Sequence, residues 1–299
     1  MKMNPLLAAL FAGVLVLAGF ASLAEAADPA TAAPPAAAPA EQFRTLMVEF
    51  NATARGLWEA KTDEERLTVA ERMLKLTPRF LELAEKDPAT PVAMDSLVQV
   101  VLQEIWLENN TAHPGRGKDS LEDRAIALLL EHHLQSPALG AVCQRMCYGF
   151  RRECGRFLRA VLEKSPHKEV QGLACLRLAQ FLNGRMRRFD LVQGNPEMAR
   201  RYAGLFGKDY LEALGRMDRT AAMNEVESLF TRAAEQFPDV KLPYDGLVGV
   251  TAKSELHEIR HLSVGAEAQE IEGTDENGTP FKLSDYRGKA VLLYFWSEY

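Results

Sequence analysis

No Cys-x-x-Cys pair occurs in this 299-residue chain, and cysteine itself is scarce, with four in all. Chemistry that runs through a closely spaced dithiol is therefore excluded for the residues given. The nearest approach is Cys143 and Cys147, four apart. Tyr148 follows where a covalently attached haem would require His, so that cofactor is excluded as well. An excess of basic charge is also missing: the formal net charge is −6, which gives no reason to expect nucleic-acid binding. Glycine-rich phosphate loops, GxGxxG, GxSxG and a paired-carboxylate signature are all absent. No cofactor is implied.

What is present begins with an export signal. Lys2 is its charged start, residues 6–23 are an apolar run, and Ala24-Glu25-Ala26 is a small-x-small cleavage site. An uncleaved membrane anchor is the other reading, because the run nearly reaches spanning length. No cysteine lies near the segment, which argues against a lipid anchor. Export places the cysteines in a disulfide-permissive compartment, periplasmic or cell-envelope. Residues 27–40 are almost wholly Ala, Pro and Thr. Such a stretch buries no core and predicts a disordered or extended tether.

From residue 41 to about residue 240 the chain reads as helices. Thr62-Asp-Glu-Glu65 is a capping box, and Thr90-Pro91 and Ser165-Pro166 are further helix starts. Residues 92–106 are apolar on most sides, as a central helix would be, and 125–130 look similar. Met223, Val226, Phe230, Ala233 and Phe237 fall on one stripe. Helical hairpins of about 35 residues recur with a tetratricopeptide flavour, so the expectation is mainly α, with a helical repeat-like (TPR-like) domain. Such a domain would present a concave surface to a protein or peptide partner. Lys241 to Gly246 is a turn-rich break. Residues 241–263 then read as a linker carrying a short helix.

Within the helical part, four groups could carry chemistry. Cys143 and Cys147 sit on one helix face, but an i,i+4 bridge would be strained, so two packed thiols are expected. Cys154 and Cys175 are equidistant from the Ser165-Pro166-His167 loop, which makes a disulfide stapling that hairpin a candidate. His257-Glu258-Ile259-Arg260-His261 matches H-E-x-x-H, yet its flanks are charged and Val264 stands where the extended zinc pattern needs Gly. Both His are therefore expected on a linker helix, with no metal. His132 and His133 lie at a helix end, where cations complement the dipole. Arginines from Arg151 to Arg159, with Arg185, Arg187 and Arg188, predict a solvated face or a docking surface for an acidic partner.

The most specific stretch is the last. Residues 268–271 are a short extended candidate, Asp275-Glu-Asn-Gly278 is a turn, and Phe281, Leu283 and Tyr286 space like a strand end entering one helical turn. Arg287-Gly288-Lys289 breaks that turn. Residues 290–296 are an apolar run of strand length, which predicts a strand buried on both faces. Val264-Gly265, Asp275 to Gly278, the run from Phe281 to Lys289 and Val291-Leu-Leu-Tyr-Phe-Trp296 together resemble the opening of a redoxin domain. That branch of the thioredoxin-like superfamily includes the AhpC/TSA peroxiredoxins and the TlpA-type thiol–disulfide oxidoreductases.

The resemblance implies the first strands of a thioredoxin-like α/β domain at 264–299. Phe295, Trp296 and Tyr299 match the approach to the redox site. It implies protein thiols, disulfides or peroxide as substrates, and a membrane role only through the signal or anchor. In such families a reactive cysteine follows the Phe-Trp strand within a few residues. No cysteine follows Trp296 here. The chain thus reads as an exported oxidoreductase cut short before its catalytic cysteine. A helical binding module without catalytic activity is the alternative.

Overall fold

A computed structural model describes residues 38–110, 120–243 and 246–294. The export signal, nearly all of the tether, and Phe295, Trp296 and Tyr299 lie outside the described residues. The rest is mainly helical. Helices α1 (Pro39–Glu59), α2 (Asp63–Leu74), α3 (Thr77–Glu85), α4 (Pro91–Asn110) and α5 (Leu121–His132) come first. Then follow α6 (Leu139–Met146), α7 (Arg152–Lys164) and α8 (Lys168–Gln193). Helices α9 (Pro196–Phe206), α10 (Lys208–Gly215), α11 (Arg219–Gln236) and α12 (Val248–His261) complete the body.

Helix starts follow local chemistry. The Thr62 hydroxyl accepts from Glu65 N at 3.1 Å while the Glu65 carboxylate accepts from Thr62 N at 3.2 Å. This is the expected capping box, a feature whose hydroxyl is worth about 1 kcal/mol. Ser120 and Asp123 form a second box at the start of α5. Thr90 caps α4 through Ala93 N, with Pro91 as the first helical residue. Ser165-Pro166 behaves differently. Pro166 ends the run of α7, and α8 begins two residues later with His167 as its cap. Ser165 instead accepts a hydrogen bond on its carbonyl from Gln171 Nε2 at 2.8 Å.

Helix α8 is the axis. It is 26 residues long and has buried positions around its whole circumference, from Val170 to Met186. Helices α6, α7, α9, α10, α11 and α12 all pack on it. Close approach depends on small residues. A Cβ on Gly155 of α7 would stand 2.8 Å from the Phe181 ring, and one on Gly172 would stand 2.9 Å from Val240. Phe157, Phe181 and Phe230 are fully buried in this region, each removing apolar surface worth about 1.5–3 kcal/mol. A second core forms where α1, α3, α4 and α5 meet. Its centre is Phe80, with Phe43 and Phe50 edge-on at 5.9 and 6.4 Å. The predicted stripe on α11 is realised: Val226, Phe230, Ala233 and Phe237 are buried.

Helix α12 begins at Val248 and packs on α11 and α8. The segment read as a linker therefore contributes a helix to the body. Before it, Lys241 and Leu247 pair across a tight reversal, and Val248 N donates to Val240 O at 2.9 Å.

The C-terminal segment is a two-stranded antiparallel hairpin, β1 (Glu272–Thr274) and β2 (Pro280–Lys282), with Gly273 opposite Phe281. Asp275 builds the turn. Its carboxylate accepts from Asn277 N and Thr279 N, both at 2.8 Å, and these bonds hold it below the usual carboxylate range, Thr279 contributing most. Gly278 of the Asn-Gly pair takes a positive φ, +76°. The single helical turn is a 3₁₀ turn at Leu283–Tyr286, stopped at Arg287. Two expectations need correction. The extended pairing lies at Glu272–Thr274 and not at 268–271. Residues 290–294 form no strand, and Leu292 and Tyr294 are 91% and 81% exposed. A strand buried on both faces needs flanking strands, and among the described residues none stands beside it.

No residue in 262–294 is buried. The hydrogen bonds and ion pairs of 266–294 among the described residues close within 263–294. Deleting residues 264–299 is thus expected to move the unfolding midpoint of the helical body by less than about 2 °C. Differential scanning calorimetry of the two chains measures this. A drop several times larger would show that the segment packs on the body.

Candidate functional site

A polar cleft of about 280 Å³ opens between the C-terminal end of α6, the middle of α8 and α12. Arg177, Gln180, Asn183, Gly184 and Arg187 line it from α8, on one face because they recur at three- and four-residue steps. Glu255 and Glu258 face them from α12, and Cys147 and Tyr148 close one end. Two straps cross the cleft. Gln180 Nε2 donates to Glu255 Oε1 at 2.9 Å, and Arg187 Nη2 donates to Glu258 Oε1 at 2.6 Å. Arg177 Nη1 extends the first strap by donating to Gln180 Oε1 at 2.7 Å. The Arg187–Glu258 pair is more than half exposed on both sides, so it stabilises by about 0.2–1 kcal/mol at most. Asn183 is different. It is only 6% exposed.

The four cysteines are free thiols. Cys143 is buried without residual exposure, and burial drives its thiol far above the ordinary range. Cys147 is half-buried and borders the cleft. Burial pushes its thiol up to about 11, although the Arg177 guanidinium beside it pulls the other way. The disulfide expected between Cys154 and Cys175 is not formed. Helices α7 and α8 do pack as a hairpin about the expected loop, but the two thiols face different neighbours. Cys154 donates to the Glu122 carboxylate at 3.4 Å, while Cys175 donates to Leu229 O on α11, also at 3.4 Å.

The cluster around Cys154 is the most strongly perturbed carboxylate site. Glu122 is fully buried at the start of α5. Arg151 Nε lies 3.6 Å from its Oε2, and Arg151 Nη2 donates to Asp123 at 2.9 Å. Burial outweighs the arginine and raises the Glu122 carboxyl to about 7. Its physical consequence is a loss of stability as pH rises.

Glu258 of the H-E-x-x-H stretch bonds Arg187, and the His257 and His261 rings lie tilted together at 4.9 Å on the exposed face of α12. Among the described residues no group of three or more His, Cys, Asp or Glu is arranged to hold a metal. His132 and His133 do sit at the end of α5. Yet His133 is buried, its Nε2–H donates to Pro88 O at 2.7 Å, and burial lowers its pKa. Its ring therefore ties the end of α5 to the segment between α3 and α4, and does not serve as a cation at its own helix end. The arginines of the basic region are largely paired within the fold, Arg152 with Glu153, Arg159 with Glu225 and Arg188 with the Tyr210 hydroxyl. No sequence cue singled out Arg177, Gln180 or Asn183. A polar stripe on an otherwise buried helix was the available signal.

Two outcomes are expected from these sites. Native-state alkylation of the full chain should label Cys147 ahead of the other three thiols, at a rate still rising about tenfold per pH unit between pH 8 and 10. A plateau near pH 9 would contradict its raised pKa. Glu122 is protonated in both folded and unfolded chains well below its ordinary value of 4.5, and above that value only the unfolded chain ionises until about pH 7 is reached. Stability therefore falls across that window, and Glu122→Gln should restore about 1–3 kcal/mol at pH 8 with little effect at pH 4. Urea denaturation at the two pH values reads the difference. No protein-family model, curated protein or solved structure matches the chain.

Proposed function

We propose that the chain belongs to an exported thiol–disulfide oxidoreductase of the redoxin class, with a helical repeat-like module ahead of the first strands of a thioredoxin-like domain. The observation that carries this reading is the C-terminal hairpin. The residues of the resemblance fold as a strand, an Asp275–Thr279 turn, a second strand and a 3₁₀ turn, in that order. They leave Val291, Leu292, Leu293 and Tyr294 exposed in a row, which is the apolar run that a redoxin sheet would cover. The reactive cysteine would follow this run at a helix N-terminus, where the helix dipole favours thiolate. Substrates are then protein disulfides, protein thiols or peroxide, in the periplasm or cell envelope.

The second reading is a helical binding module without catalytic activity. The cleft between α6, α8 and α12 favours it, since the described cysteines are buried or have raised pKa values. Sequencing the transcript 3′ of the Tyr299 codon separates the two. Cysteine codons within a few positions, followed by about a hundred further codons, support the oxidoreductase. A stop codon moves the function to the helical body.

A further inference from the structure

We infer that Asn277 is a site of spontaneous conversion to isoaspartate and aspartate, and that the fold permits this chemistry at Asn277 while withholding it from Asn183. The inference rests on the hairpin and on α8, and stands whether or not the redoxin reading holds.

The sequence contains two Asn-Gly steps, Asn183-Gly184 and Asn277-Gly278. In each, the side-chain carboxamide precedes a backbone nitrogen that no Cβ shields. The Gly nitrogen attacks Cγ of the Asn, a new C–N bond closes a five-membered succinimide ring, and the old bond to the carboxamide nitrogen breaks. Ammonia leaves, carrying the proton of the Gly amide. Water then opens the ring at one of its two carbonyls, giving aspartate or isoaspartate. The balance is one water in and one ammonia out, with no oxidant or reductant.

The local sequence makes both steps reactive, and the fold separates them. Asn277 is exposed in the turn between β1 and β2, and a Cβ on Gly278 would meet nothing within 4 Å. The Gly278 N–H donates to Asp275 O at 3.0 Å. Ring closure removes that N–H, but Asp275 is exposed, so water replaces it on the carbonyl. Opening the turn costs little, because the hairpin has two strands of three residues each and no buried residue. Asn183, by contrast, is 6% exposed in the middle of α8. The Gly184 N–H belongs to the hydrogen-bond ladder of that helix, and closing the ring there breaks the ladder inside the axis of the body. Local opening is nearly free at exposed turns and costs the full unfolding free energy in a core helix.

Conversion undoes the turn. The Asp275 carboxylate accepts from Asn277 N and Thr279 N, both at 2.8 Å. A second carboxylate at position 277 is repelled by it. Isoaspartate also adds a carbon to the main chain between the two nitrogens, so the spacing that lets Asp275 hold both is lost.

The test incubates the full chain in mildly alkaline buffer, folded and in concentrated urea. Trypsin then places the two sites on separate peptides, residues 178–185 and 261–282. Mass spectrometry reads the gain from NH2 to OH on each, and radical fragmentation tells isoaspartate from aspartate. In the folded chain Asn277 should convert at least about tenfold faster than Asn183, and in urea the two rates should agree within about threefold. A smaller ratio in the folded chain overturns the proposal. So does a larger gap in urea, because flanking sequence and not the fold would then set the rates. Aspartate without isoaspartate at position 277 indicates direct hydrolysis and overturns the ring-closing route. Gly278→Val, which shields the attacking nitrogen with a branched side chain, should slow Asn277 at least about tenfold. An unchanged rate in that variant also overturns the assignment.

Discussion

The burial of α8 on all sides is the constraint on which the rest of this structure depends. An amphipathic helix is satisfied by one neighbour along one stripe. A helix with buried positions from Val170 to Met186 around its circumference is satisfied only inside a ring of other helices. Helices α6, α7, α11 and α12 supply the ring, and the close approaches at Gly155 and Gly172 set how tightly it closes. The polar cleft is a consequence. It forms where the ring is incomplete, between the short end of α6 and the long flank of α12, so that Arg177, Gln180 and Asn183 remain on an otherwise apolar axis.

The C-terminal hairpin obeys a different economy. It is held by local hydrogen bonds around Asp275 and by side chains that reach back to their own strand partners, as Lys282 does to Glu272. Glu270 accepts from Ser284 N and holds the 3₁₀ turn against the segment that leads into β1. A two-stranded hairpin of this kind is marginal by itself, and its exposed apolar residues set it apart from the helical body. The two parts therefore call for two explanations: packing for the body, turn chemistry for the hairpin.

Much of the body was legible in the sequence because it depends on local rules. Thr62 with Glu65, Thr90 with Pro91, and the Val226–Phe230–Ala233–Phe237 stripe each specify a structure within one or two turns. The hairpin turn at Asp275–Gly278 and the stop at Arg287 were legible for the same reason. What failed depends on rotation and on neighbours. Cys154 and Cys175 are correctly equidistant from their loop, but a helix turns about 100° per residue, and distance from the loop leaves that phase undetermined. The thiols accordingly face α5 and α11. His133 carries a helix-end signature, yet burial lowers its pKa and its ring bonds Pro88 O. The cleft draws on residues 147, 177–187 and 255–258, from three helices far apart in sequence, and no periodicity brings them together.

The position of the axis in the chain has a bearing on synthesis. Cys175 of α8 makes its hydrogen bond to Leu229 of α11, 54 residues later, and α12 follows α11. As the polypeptide emerges from N- to C-terminus, α8 is complete well before the helices that must cover it. Its apolar flank is therefore exposed during translation, and the core around it can close only after α11 has been made. The helices around Phe80 carry no such delay, since all of them lie within α1 to α5, which follow one another in the chain. Assembly is thus staged by gene order: an early N-terminal half, and a central helix that waits for the last part of the body. A nascent chain of this design offers α8 to chaperones in an unfinished state, and acquires its cleft last.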